Sequence, residues 1–148
     1  MTVWEAANPD FERVVKDVVL SMPAARHLGF GIGRLAAGEA EIIQPYRKEL
    51  TQNDGFFQAG VLGSLADFAG GSAAGTLLPA DWTNMTIDFT IKILAPGGGD
   101  EIVARGRVVK PGQLITVAAA DLFSVGGDEE VLCAVALITL RNVRLAKA

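Results

Sequence analysis

One acidic residue stands alone in the middle of the chain. Between Ala59 and Ala80 the sequence reads AGVLGSLADFAGGSAAGTLLPA, and Asp67 is its single charge. Leu62, Leu65, Ala66, Ala69 and Ala73 recur at three- and four-residue steps, which predicts a helix with Asp67 in its third turn, too far in to cap it. A carboxylate among apolar neighbours needs partners or a raised pKa. Such a group can act as a general base or a nucleophile. The plainer alternative is an aspartate bonded to nearby backbone or facing solvent at an interface. Ahead of the helix, Thr51 to Gly60 reads TQNDGFFQAG, polar and then aromatic. Backbone N–H groups at a helix start, that of Ala59 among them, are placed to stabilise an oxyanion. Here the plainer alternative is an ordinary loop.

Other patterns are weaker. Gly31, Gly33 and Ala36 fit the spacing G-x-G-x-x-A, but a dinucleotide site needs a helix after the glycines. The residues that follow alternate as a strand, so the glycines are expected to bend an edge strand. Ser64 follows Gly63, but positions 62 and 66 are Leu and Ala where a nucleophile elbow has glycines. His27, the sole histidine, lies in MPAARHL, a short turn that suits a helix-end residue better than a catalytic base.

The remaining segments must position the central helix. Asn84 to Leu94 alternates strictly, with Met85, Ile87, Phe89, Ile91 and Ile93 expected on a buried face and Thr86, Asp88, Thr90 and Lys92 on a polar one. Strand-like runs follow at Glu101–Val109, Leu114–Val125 and Val131–Arg141, separated by short Gly- and Pro-containing turns that favour an antiparallel meander. Upstream, Gly31–Leu35 and Glu39–Tyr46 read as a hairpin around Ala37-Gly38. In the N-terminal helical segment, residues 1–28, Asn8 is expected to cap a helix with Pro9 at its first position and Phe11, Val14, Val15, Val18 and Val19 on its apolar face. Glycines 60, 63, 70, 71 and 75 weaken the central helix by about 1 kcal/mol each relative to Ala, a cost that fits close approach of other backbone. The expected architecture is α+β: one domain over residues 1–148, its antiparallel sheet curled round one helix.

Composition narrows the function classes. The 148 residues are 50% hydrophobic and 20% charged, with a formal net charge of −4, so neither disorder nor a basic nucleic-acid surface is expected. A membrane span over Ala59–Ala80 is disfavoured by its Gly and Ala content, by Asp67 and by the lack of flanking cations. One cysteine and one histidine supply too few ligands for a structural zinc site, and no intrachain disulfide can form. Trp4, Glu5, Asp10 and Glu12 stand where a secretory leader would carry cations and then apolar residues, so a cytoplasmic location is expected.

The spacing of Gly55, Ala59-Gly60 and Asp67 within Gln52–Gly71 resembles the signature of hot-dog-fold thioesterases of the phenylacetyl-CoA (phenylacetic acid degradation) type. The similarity runs from Leu28-Gly29-Phe30 through Pro45-Tyr46-Arg47 to the final strand. It takes in Thr86-Ile87-Asp88-Phe89-Thr90-Ile91, Leu94-Ala95-Pro96 and Val109-Lys110-Pro111-Gly112-Gln113. The resemblance implies hydrolysis of an acyl-CoA thioester without cofactor or metal, in a site shared between protomers of a dimer or a dimer of dimers (a homotetramer). It casts Asp67 as the catalytic carboxylate, Ala59 as the oxyanion donor, Thr86 as the residue orienting carboxylate or water, and Gln52 as an amide where many members carry Asn. Gly55, Gly60 and Lys110 fall at substrate-binding positions, Lys110 in a turn that contacts the CoA nucleotide in relatives, with Gln113 where a basic residue is frequent. Phe56, Phe57 and Phe68 are candidates to shape the acyl pocket, with core or interface as the plainer alternative. Gln58 departs from the pattern, standing where the family has His, and Ala59 replaces the first of two glycines.

That departure keeps a second function in view, an acyl-CoA or apolar-ligand binding protein on the same fold that leaves its ligand intact. A hot-dog dehydratase fits less well, since those enzymes pair an acid with a catalytic His and none lies near the central helix.

Overall fold

The computed structural model describes residues 2–147. Helices α1 (Phe11–Ser21) and α2 (Pro23–Leu28) lead into the hairpin β1 (Gly31–Ala36) and β2 (Glu39–Pro45). A 3₁₀ turn at Lys48–Leu50 and a tight loop precede helix α3 (Ala59–Gly75). Strands β3 (Trp82–Ile93), β4 (Glu101–Lys110), β5 (Ile115–Gly126) and β6 (Glu129–Arg144) complete the chain. All six strands form one antiparallel sheet in the order β1-β2-β4-β5-β6-β3. The sheet curls round α3, whose Leu62, Leu65, Ala66, Ala69 and Ala73 are almost fully buried in the core. This is the hot-dog fold.

Close approach of backbone, expected at the helix glycines, is found instead at Gly106 of the strand beneath, and the helix glycines face side chains. A Cβ on Gly106 of β4 would lie 2.2 Å from the Ala69 carbonyl oxygen, and one on Gly70 would lie 2.8 Å from Ile138 Cδ1. Any larger side chain at Gly106 would push the helix off the sheet. Gly33 lies where β1, an edge strand, shifts register against β2, whereas Gly31 pairs in regular register with Ile43. Among the described residues no helix is long and apolar enough to cross a membrane.

Two local expectations are corrected. Asn8 is not the N-cap of α1. Its Oδ1 accepts from the Asp10 N–H at 3.0 Å and its carbonyl accepts from Phe11 N–H, so a turn through Pro9 delays the helix until Phe11. Strand β3 does not keep one alternation, because its register against β6 slips between Thr86 and Asp88 and leaves Ile87 unpaired. Before this bulge Asn84 and Thr86 face α3; beyond it Phe89, whose ring lies against Gly63, and Ile91 do. The face expected to be buried is thus split, and Met85 and Ile87 are 62% and 60% exposed.

Candidate active site

The loop from Thr51 to Gln58 is pinned at both ends. Thr51 bridges to Phe57, and Gln58 N–H donates to the Leu50 carbonyl at 3.0 Å. Gly55 turns the chain at φ +84°, and its carbonyl accepts from the Tyr46 hydroxyl at 3.0 Å. The Gln52 side-chain oxygen accepts from the Asp54 N–H, which commits that oxygen to shaping the loop. Phe57 is 3% exposed and packs edge-on against Tyr46 within the core, the plainer of its two expected roles.

Gln58 occupies the N-cap of α3. Its Oε1 accepts from the N–H groups of Gly60 at 2.6 Å and Val61 at 3.3 Å, while its carbonyl accepts from Val61 and Leu62. A Cβ at Gly60 would lie 2.8 Å from that Oε1, so the glycine makes room for the cap. Four N–H groups at a helix start lack intrahelical acceptors. Here three are satisfied, and among the described hydrogen bonds the exposed Ala59 N–H is the one without an acceptor. The Gln58 side-chain oxygen thus accepts, and in doing so holds the helix start.

Eight residues further on, Asp67 is half-buried. Its Oδ1 accepts a 2.6 Å hydrogen bond from the Thr86 hydroxyl, which the bulge in β3 turns toward the helix. Burial pushes the Asp67 carboxyl above its ordinary range, and the Thr86 hydrogen bond pulls part of the way back. One turn along, the Asn84 amide donates to the Gly71 carbonyl at 3.0 Å and ties the start of β3 to α3.

Asp67 and Thr86 open onto a cleft of about 370 Å³. Helix α3 contributes Phe68, Gly71, Ser72 and Gly75 to it, and β3 contributes residues from Trp82 to Thr86. Helix α1 forms the opposite wall through Val14, Val15, Val18, Val19 and Met22. The Phe68 ring is also held 4.8 Å from that of Phe30. This role of α1 was not anticipated, although a trace was present in the sequence. Val14, Val18 and Met22 repeat at four-residue steps beside the buried Val15 and Val19, a wider apolar face than packing requires.

The structure therefore brings together Asp67, Thr86 and Phe68. Gln58, Ala59 and Gly60 form a separate group at the helix start, while Gln52 and Gly55 belong to the loop before it. Lys110 is exposed at the end of β4, where the register with β5 shifts. His27 is exposed on α2, a helix-end residue as expected.

Comparison with known structures agrees with this architecture. A thioesterase family protein from Silicibacter pomeroyi is 33% identical, with 90% of this chain and 98% of that one covered and a TM-score of 0.88. A thioesterase from Haemophilus influenzae is 24% identical over 99% of this chain and 95% of its own, with a TM-score of 0.81. A phenylacetic acid degradation-related protein from Ralstonia eutropha JMP134 shares 22% identity over 88% of this chain and 98% of its own, with a TM-score of 0.74. At that level the last two speak to the fold alone. No family model matches the sequence. No curated protein matches it either. The chain belongs to the hot-dog thioesterase family.

Proposed function

We propose that the protein is a cytoplasmic acyl-CoA thioesterase that hydrolyses an acyl- or aroyl-CoA to free acid and CoA, with Asp67 as its catalytic carboxylate. The observation that carries this reading is the half-buried Asp67, held by Thr86 at the edge of a largely apolar cleft. A carboxyl raised toward neutrality is a better base than an ordinary one. Asp67 takes a proton from water as the water oxygen attacks the thioester carbon. The resulting oxyanion is held by the free Ala59 N–H, and its collapse expels the CoA sulfur, to which the proton passes. Gln58 assists by keeping the helix start in shape, a task that needs no titratable ring. That role supports turnover without the family's histidine.

The carboxylate and the amide cannot serve one carbonyl within one chain. Eight residues of α-helix place them about 12 Å apart along the axis, whereas both must come within about 3 Å of the reacting group. The site we propose is composite, with Asp67 from one protomer and Ala59 from its partner. Strand β3 offers the means. It is an edge strand of 12 residues whose Met85, Ile87 and Ile93 are exposed. An edge of that length and apolarity is ordinarily covered, and pairing across a two-fold axis covers it with a second copy. Whether dimers associate further is read from the solution mass.

The decisive experiment is release of free thiol from a panel of acyl- and aroyl-CoAs by the purified protein, with Asp67→Asn as control. Turnover in the parent that is lost in the variant supports the proposal. No turnover across the panel overturns it, and saturable binding with the ligand intact would then favour the binding protein.

A further inference from the structure

Helix α3 carries two serines in different circumstances. Ser64 Oγ donates to the Gly60 carbonyl four residues back at 3.0 Å, a common resort for a serine inside a helix. Ser72 is 2% exposed, and its Oγ has no hydrogen-bond partner. Buried polar groups are almost always paired, and a hydroxyl can both donate and accept. Ser72 lines the cleft that Asp67 opens onto. The floor beside it is kept free by two glycines. A Cβ on Gly71 would meet Asn84 Oδ1 and Leu140 Cδ2 only at 3.7 Å, and one on Gly75 would meet Val15 at 3.5 Å. Neither glycine is needed for close packing, unlike Gly70, so both leave space. The cleft, at about 370 Å³, lies within the size range of small-molecule sites. Five residues of helix separate Asp67 from Ser72, about 7.5 Å along the axis. An acyl group anchored by its thioester at Asp67 thus brings atoms several bonds away to the serine.

We infer that Ser72 is a specificity-determining residue of the acyl pocket, and that the preferred acyl group carries a hydroxyl or carbonyl oxygen several bonds from the thioester. This rests on the cleft being the acyl site. A hydrocarbon tail leaves the Ser72 hydroxyl buried and unpaired, whereas an oxygenated tail satisfies it. The α1 wall of Val14, Val18 and Met22 accepts the hydrocarbon part of either.

The test uses non-hydrolysable thioether analogues of acyl-CoA in which one hydroxyl is walked along the chain, each compared with its unsubstituted parent by titration calorimetry. The matching thioesters are assayed for hydrolysis in parallel. One hydroxyl position should bind about tenfold more tightly than the parent, the worth of one well-made hydrogen bond in a buried site. That advantage should vanish in both Ser72→Ala and the near-isosteric Ser72→Cys. Two variants guard against misfolding of either. The inference is overturned if no position is preferred, or if the preference survives both substitutions. Discrimination in binding without hydrolysis would support it while overturning the thioesterase proposal. Hydrolysis without discrimination would do the reverse.

Discussion

The two ends of the chemistry on helix α3 are built on opposite principles. At the helix start the useful group is a backbone N–H, exposed, and left over because Gln58 satisfies its neighbours. In the third turn the useful group is a side chain, half-buried and set by a hydroxyl from another element. The first station depends on capping geometry and tolerates changes of side chain. The second depends on a specific carboxyl and on the bulge that aims Thr86 at it. On the proposed mechanism, their separation along one rigid helix makes them two half-sites that a second copy would bring together.

Substitution at the second station should have the largest effect. Asp67→Asn keeps an oxygen for Thr86 to donate to but removes the base, so kcat should fall about 10³-fold, with the fold intact by circular dichroism. At the first station Ala59→Pro deletes only the N–H, since proline is well tolerated at the first helical position and Gln58 is already extended (φ −67°, ψ 142°). Losing an oxyanion donor should cost about 10²-fold in kcat. Mixing the two inactive proteins through a cycle of dissociation and reassociation should restore part of the activity, because each mixed dimer contains one site with both groups. Absence of any recovery would place both stations in one chain's site and end the comparison. Ile87→Lys probes the same point from the edge strand. A lysine on β3 should shift the sedimenting mass toward the monomer, and activity should fall with it.

Much of this was legible in the sequence, and the failures have physical causes. The central helix and the order of strands announced themselves through periodicity, because burial on one face leaves a repeating pattern. Asp67 stood out because its surroundings hold no other charge. The bulge at Ile87 was hidden, since a perfect alternation of residue types across Met85–Ile93 gives no sign that the strand changes face partway. The cleft was hidden for a related reason. It lies between α1, α3 and β3, and no periodicity within one element reports where another element stops short of it. The fate of the Gln58 side chain depended on its rotamer over Gly60, which composition does not encode.

Thr86 is the point at which the second station can be tuned without being removed. Burial raises the Asp67 carboxyl and the Thr86 hydrogen bond opposes that rise. The base must be ionised, so kcat/KM should climb with pH on an acid limb that reports the raised pKa, then level off. Thr86→Val removes the opposing contribution and should move that limb to higher pH, with a several-fold loss below it. A limb that stays in place would detach Thr86 from the carboxyl. Stability has the opposite slope. The folded state keeps this proton to higher pH than the unfolded chain, so the contribution is full below the ordinary carboxylate range and is lost as pH rises through the raised value. Asp67→Asn should accordingly melt above the parent at neutral pH and lose that advantage in acid.

The smallest effect is expected at Gln58, and it separates the roles of the two stations most finely. Gln58→Ala deletes a cap worth about 1 kcal/mol, which for a chain of this length lowers Tm by about 2–4 °C. It also frees the Gly60 N–H, which remains aimed near the oxyanion position, while Val61 keeps its bond to the Gln58 carbonyl. Catalysis should therefore fall less than tenfold, and less than in Ala59→Pro. Gln58→Asp restores a capping oxygen but sets a negative charge beside the developing oxyanion, so it should regain the melting temperature while losing more activity than Gln58→Ala. If stability and rate instead move together across these substitutions, Gln58 acts on the reaction only through the fold. If they part as described, the helix start contributes an electrostatic environment of its own, independent of the Asp67 carboxylate.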